Sequence, residues 1–155
     1  MLQRWQSFFL GLIVIFSLLL CFLNLARLKG PGDVDHIIKA SGVFRSGEEV
    51  AADKTRSYIL IFPLLISLAV IAATALFMFR NRKRQKQLCI VLAFLDGALI
   101  ITLSYYILSA GSQSGGIIKP ELPLILPLLI LVSALLAYRG VRKDEELVKS
   151  FDRLR

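Results

Sequence analysis

Residues 58–110 read YILIFPLLISLAVIAATALFMFRNRKRQKQLCIVLAFLDGALIITLSYYILSA. Two long apolar runs flank a short basic link. Tyr58–Phe79 carries no charge, and Leu88–Ala110 carries one acid, Asp96. A hydrocarbon core about 30 Å thick is crossed by roughly 20 apolar residues of helix. Within it every backbone N–H and C=O must bond inside its own segment, which makes each run a helix. Pro63 falls in the first turns of its run, where a missing N–H costs little. The link holds Arg80, Arg82, Lys83, Arg84 and Lys86 with no acid. Short loops with such an excess of Lys and Arg stay on the cytoplasmic side.

Working outward, Phe8–Ala26 is a third uncharged run and Leu122–Tyr138 a fourth, shorter one that carries Pro123 and Pro127. Pro123 suits a helix start, and Pro127 is expected to kink the fourth helix. The first run is too long for a signal-peptide core and lacks a small-residue cleavage site, so it reads as an uncleaved span. The whole chain agrees: of 155 residues, 56% are hydrophobic and 19% charged, against about half and a quarter in soluble domains. That apolar content excludes disorder. Cys21 and Cys89 both lie inside apolar runs, which excludes a disulfide scaffold. The expected architecture is all-α: a single integral membrane domain, residues 1–155, forming a four-helix bundle with spans at 8–26, 58–79, 88–110 and 122–138. The outer loop is 27–57, the link 80–87 and the tail 139–155.

Twelve of the 19 basic residues fall on the side of the N-terminus, the link and the tail, and seven in the two opposite loops. Both termini are therefore expected in the cytoplasm. Arg27 and Lys29 are expected to snorkel to the outer interface, and Trp5, Tyr58, Tyr105, Tyr106 and Tyr138 to lie at span ends. RNRKRQK has no interleaved aromatics and no base-reading fold around it, so nucleic acid is not an expected partner. The lipid bilayer is, with Arg82 and Lys83 candidates to meet anionic headgroups or a partner.

The outer loop opens with the breaker Gly30-Pro31-Gly32. His36-Ile37-Ile38 and Val43-Phe44 suggest a small hairpin, marginal on its own. Ser46-Gly47-Glu48-Glu49 reads as a helix cap with acids in the first turn. His36 is the single histidine and reads as solvated. The loop GSQSGG after the third span is expected to be flexible. In the tail, Leu147, Val148, Phe151 and Leu154 share a narrow arc at 100° per residue, predicting a short amphipathic helix over about 141–154. Four acids, Asp144, Glu145, Glu146 and Asp152, favour protein over an anionic leaflet as the surface that covers it.

Asp96 is the candidate intramembrane polar site, because charges in spans are costly and functional by default. Its face is expected to carry Cys89, Ala93, Gly97 and Ser104 in a close helix contact, with Asp96, charged or protonated, bonded to a neighbouring helix's hydroxyl or backbone or reached by a base from the link; the functional reading is a proton or cation site. Ala69 and Ala73 also suit close packing. No metal-spaced Cys/His set, phosphate loop or catalytic triad occurs, so catalytic residues, metal and cofactor are all expected to be absent.

The opening MLQRWQSFFL, the centre FRNRKRQKQLC (Phe79–Cys89) and the close YRGVRKDEELVKSFDRLR (Tyr138–Arg155) resemble a bacterial family of four-span membrane proteins labelled domain of unknown function 4293. Gln3, Arg4, Gln6, Asn81, Arg82, Lys83, Gln85, Leu88, Cys89 and Arg142 to Arg155 match its pattern. The resemblance implies topology and no activity. Together these readings point to a non-enzymatic accessory or scaffold subunit of the bacterial inner membrane, multi-pass, docking a protein partner or a second copy through its cytoplasmic tail. Two other readings stand beside it: a small transporter or channel subunit using Asp96, and a membrane enzyme acting on lipid.

Overall fold

The computed structural model describes residues 2–29, 35–40, 42–45, 60–78, 81–114 and 117–152. The helices are α1 (Leu2–Phe22), α2 (Ile61–Phe77), α3 (Arg82–Ser114) and α4 (Leu126–Asp152), with a 3-10 turn at Leu122–Ile125 leading into α4. The strands are β1 (Asn24–Lys29), β2 (Asp35–Lys39), β3 (Gly42–Arg45) and β4 (Ile117–Pro120). The apolar runs fold as helices, as composition requires. Pro63 takes a place in the first turn of α2, where N–H groups have no intrahelical partner. Pro123 starts the 3-10 turn. Pro127 also falls in a first turn, that of α4, so it removes no helix bond and produces no mid-helix kink.

Each helix packs on two others in the ring order α1, α2, α3, α4. The buried positions explain how. They are Leu10, Ile13, Ser17 and Leu20 on α1, and Ile61, Leu65, Leu68, Ala72 and Ala75 on α2. On α3 they are Gln85, Cys89, Leu92, Asp96, Leu99, Leu103 and Tyr106. On α4 they are Ile130, Ala134, Ala137, Val141 and Asp144, with Ser133 beside Ala134. Successive positions alternate between three and four residues apart. That mean of 3.5 keeps one seam pointed at the bundle axis, as in coiled coils and four-helix bundles. The small residues that let helices approach are thus Ala72, Ala75, Ala134 and Ala137, whereas Ala69 and Ala73 are only partly buried.

Two helical stretches, Arg82–Ser109 and Leu122–Glu146, are long and apolar enough to cross a membrane. The apolar part of α1, Ser7–Phe22, and all of α2 are shorter; the 17 residues of α2 rise about 25 Å.

The fold is not wholly helical. The expected hairpin forms, with Ile37 opposite Phe44 and Ile38 opposite Val43. It is extended by two strands that were not expected. β1 pairs antiparallel with β2, and β4 with β1, giving the order β3-β2-β1-β4. Four strands supply the pairing that a lone hairpin lacks. α1 accordingly stops at Phe22 rather than Ala26, and α3 runs on into the stretch expected to be a flexible loop before β4 begins. Pro120 ends an edge strand, where a missing ladder donor is tolerated. Gly30-Pro31-Gly32 and Ser46-Gly47-Glu48-Glu49 lie outside the described residues. The pairing of β1 with β4 places the sheet at one end of the bundle, and the start of α1, the α2–α3 link and the end of α4 at the other.

Candidate functional site

Asp96 occupies the middle of the α3 seam. Its side chain is 0% exposed, and neither Oδ1 nor Oδ2 has a hydrogen-bond partner. The expected burial holds, but the expected hydrogen bond does not form. The hydroxyls near the bundle axis show why. Ser17 Oγ donates to the Val14 carbonyl at 2.9 Å and Ser133 Oγ to the Leu129 carbonyl at 2.7 Å. Serine and threonine in apolar helices satisfy themselves on their own turn, as Ser67, Thr74, Thr102 and Ser104 also do. Each therefore offers a neighbour only an acceptor. Gly97 and Ser104 do not share the packed face of Asp96. A methyl group at Gly97 would meet nothing within 4 Å, and Ser104 is exposed. Cys89, two turns before Asp96 along the seam, is buried with it, and Ala93 is partly buried.

Two bases of the link, Lys86 and Arg82, are engaged elsewhere. Lys86 Nζ donates to Glu145 Oε2 at 2.7 Å, and an Arg82 guanidinium N–H to the Asp144 carbonyl at 2.9 Å. These two contacts bind the first turns of α3 to the last turns of α4 and fix the pair as antiparallel. Carried along two helices of equal rise, that register sets Asp96 level with residues 130–135 of α4, the stretch containing Ser133. Gln85 is buried at the same end, and Arg142 pairs with Glu146 at 3.0 Å along the exposed face of α4. Lys83 is exposed.

The tail is helical as expected as far as Asp152, as the unbroken continuation of α4. Leu147, Val148 and Phe151 lie on that helix, with side chains outside the described set; Leu154 lies outside the described residues altogether. At the opposite end Arg27 does not snorkel freely. It stands on β1 and pairs with Glu121, whose own N–H donates to the Leu25 carbonyl at 3.2 Å. Tyr106 enters the seam instead of an interface, while Tyr105 stays exposed. His36 sits in β2 opposite Leu28 and Arg45.

Sequence reasoning found Asp96 from its charge and Arg82 from the basic link. It missed Lys86–Glu145, because the partners lie 59 residues apart and meet only through helix packing. Among the described residues, no three His, Cys, Asp or Glu side chains are grouped to hold a metal.

One protein family matches the chain over residues 2–154; it is described as Domain of unknown function (DUF4293). No curated protein matches the chain.

Proposed function

The chain belongs to the DUF4293 family, and from that premise we propose that it is a non-enzymatic scaffold or accessory subunit of the bacterial inner membrane, four-spanning, that docks a protein partner through the cytoplasmic end of α4. The observation that carries the membrane part is the apolar exterior of the bundle. Phe8 and Ile15 on α1, Val70 and Phe77 on α2, Phe94 and Ile101 on α3, and Leu128 and Val132 on α4 all stand exposed. Soluble monomers rarely expose apolar patches beyond a few hundred Å². Here every helix is apolar outside, while Ser17, Asp96 and Ser133 are turned inward. Hydrocarbon is the solvent that suits such a surface. The apolar stretch Ser7–Phe22 of α1 and the whole of α2 are short for a span of about 30 Å, and slight local thinning accommodates them at modest cost.

Orientation rests on the basic excess of residues 80–86 together with the geometry, which gathers the start of α1, the start of α3 and the end of α4 on one side. Docking rests on the tail. α4 continues to Asp152 beyond its contacts with Arg82 and Lys86, and its sequence there bears Leu147, Val148 and Phe151 among acids. The test is cysteine-accessibility labelling in intact cells combined with co-purification in mild detergent. Ser46→Cys should label from outside and Asn81→Cys only after permeabilisation. Phe151→Asp should release a partner retained by the wild type. The opposite labelling pattern sinks the orientation. A Phe151→Asp protein that keeps every partner sinks the docking role.

A further inference from the structure

We propose that Asp96 is a proton-binding site in the bundle seam, holding a proton while the four helices are packed and releasing it only when the seam opens and water enters. The inference goes beyond the scaffold reading and does not depend on the tail docking a partner. A fully buried carboxyl has few ways to be stable. It can accept hydrogen bonds, pair with a cation, ligate a metal or carry a proton. Both oxygens of Asp96 lack a hydrogen bond. Ser17 and Ser133, the buried hydroxyls of α1 and α4, already donate to their own helices. Neither hydroxyl is bonded to Asp96.

Among the described residues, no cation faces the site. The described residues of α2 contain no titratable group, and neither do the buried positions of α1 nor those of α4 from Ile130 to Ala137. On α3 the nearest buried titratable groups are Cys89 and Tyr106, about 10 Å and 15 Å away along the axis. Lys86, also about 15 Å away along the axis, is bonded to Glu145, and Arg82, a turn farther, to the Asp144 carbonyl. No metal-binding group of side chains occurs among the described residues. A proton is the ligand that remains. Its release transfers H⁺ from the Asp96 carboxyl to water and leaves a carboxylate, which only hydration makes tolerable. Release therefore requires the seam to open.

The test uses the full chain in lipid nanodiscs. The infrared difference spectrum of wild type minus Asp96→Asn should contain the C=O stretch of a protonated carboxylic acid. A hydrophobic carbodiimide, which adds to protonated carboxyls to give an O-acylisourea that rearranges to an N-acylurea, should modify the peptide bearing residue 96. That modification should slow as pH rises and be lost in Asp96→Asn. If Asp96→Asn fails to accumulate, Asp96→Glu carries the same test, because the acid band should shift rather than vanish. A difference spectrum showing only carboxylate stretches overturns the proposal, as does a band that Asp96→Glu leaves unmoved. Protection from carbodiimide by sodium chloride, but not by choline chloride at the same pH, overturns it in favour of a cation site.

Discussion

Lys86 on α3 and Glu145 on α4 meet at 2.7 Å across 59 residues of chain, with side chains 31% and 12% exposed. Their contact lies one turn from the bond between Arg82 and the Asp144 carbonyl. Together the two contacts clamp the end of α4 to the start of α3. Val141 and Asp144, buried at the same level, close the gap beneath them. The polar motifs at the two ends of this helix pair therefore do structural work on one another before they meet any partner.

A double-mutant cycle of Lys86→Ala and Glu145→Ala should give a favourable coupling, because Glu145 is mostly covered. The coupling should shrink as salt is raised. Reversible unfolding in detergent micelles measures it. Zero coupling at low salt would mean that the clamp depends on Arg82 alone.

Small residues in this bundle divide into two kinds, and substitution should separate them. Gly97 meets nothing where a methyl group would be added, so Gly97→Ala should stabilise α3 by about 0.5–1 kcal/mol through helix propensity. Ala134 is fully buried in the α4 seam, so Ala134→Leu should destabilise by about 1–3 kcal/mol through overpacking. Thermal or denaturant midpoints of the two variants should move in opposite directions.

Leu92 and Phe94 are two residues apart on α3 and differ completely in environment: 0% exposed against 76%. Leu92→Ala leaves a cavity in the seam and should cost about 2–4 kcal/mol. Phe94→Ala removes the larger side chain and should cost less than about 1 kcal/mol in a bilayer or micelle, where the lost contacts are with lipid. A larger loss at Phe94 would show that its face is covered by protein.

Much of this architecture was legible in the amino-acid sequence. Uncharged runs as long as Tyr58–Phe79 can only be helices where water is excluded, because no other structure satisfies the backbone from within one segment. The arc of apolar residues beyond Val141 pointed to a helical tail, and the short β-prone runs around Ile37 and Phe44 to a hairpin. Asp96 could be assigned to the interior because a charge has one tolerable direction in an apolar helix. Tertiary structure alone decided the rest. β1 and β4 join residues such as Arg27 and Lys119, and nothing local in either segment names a partner so far along the chain. In a helix that is apolar all round, the sequence contains no stripe to mark the inner face. Leu10 and Ile13 are buried while Ile15 and Leu18 are exposed, yet their chemistry is the same. Packing, with its alternation of three and four residues, makes that choice. Likewise, the isolation of Asp96 follows from Ser17 and Ser133 bonding to their own turns, and is decided only once four helices close around it.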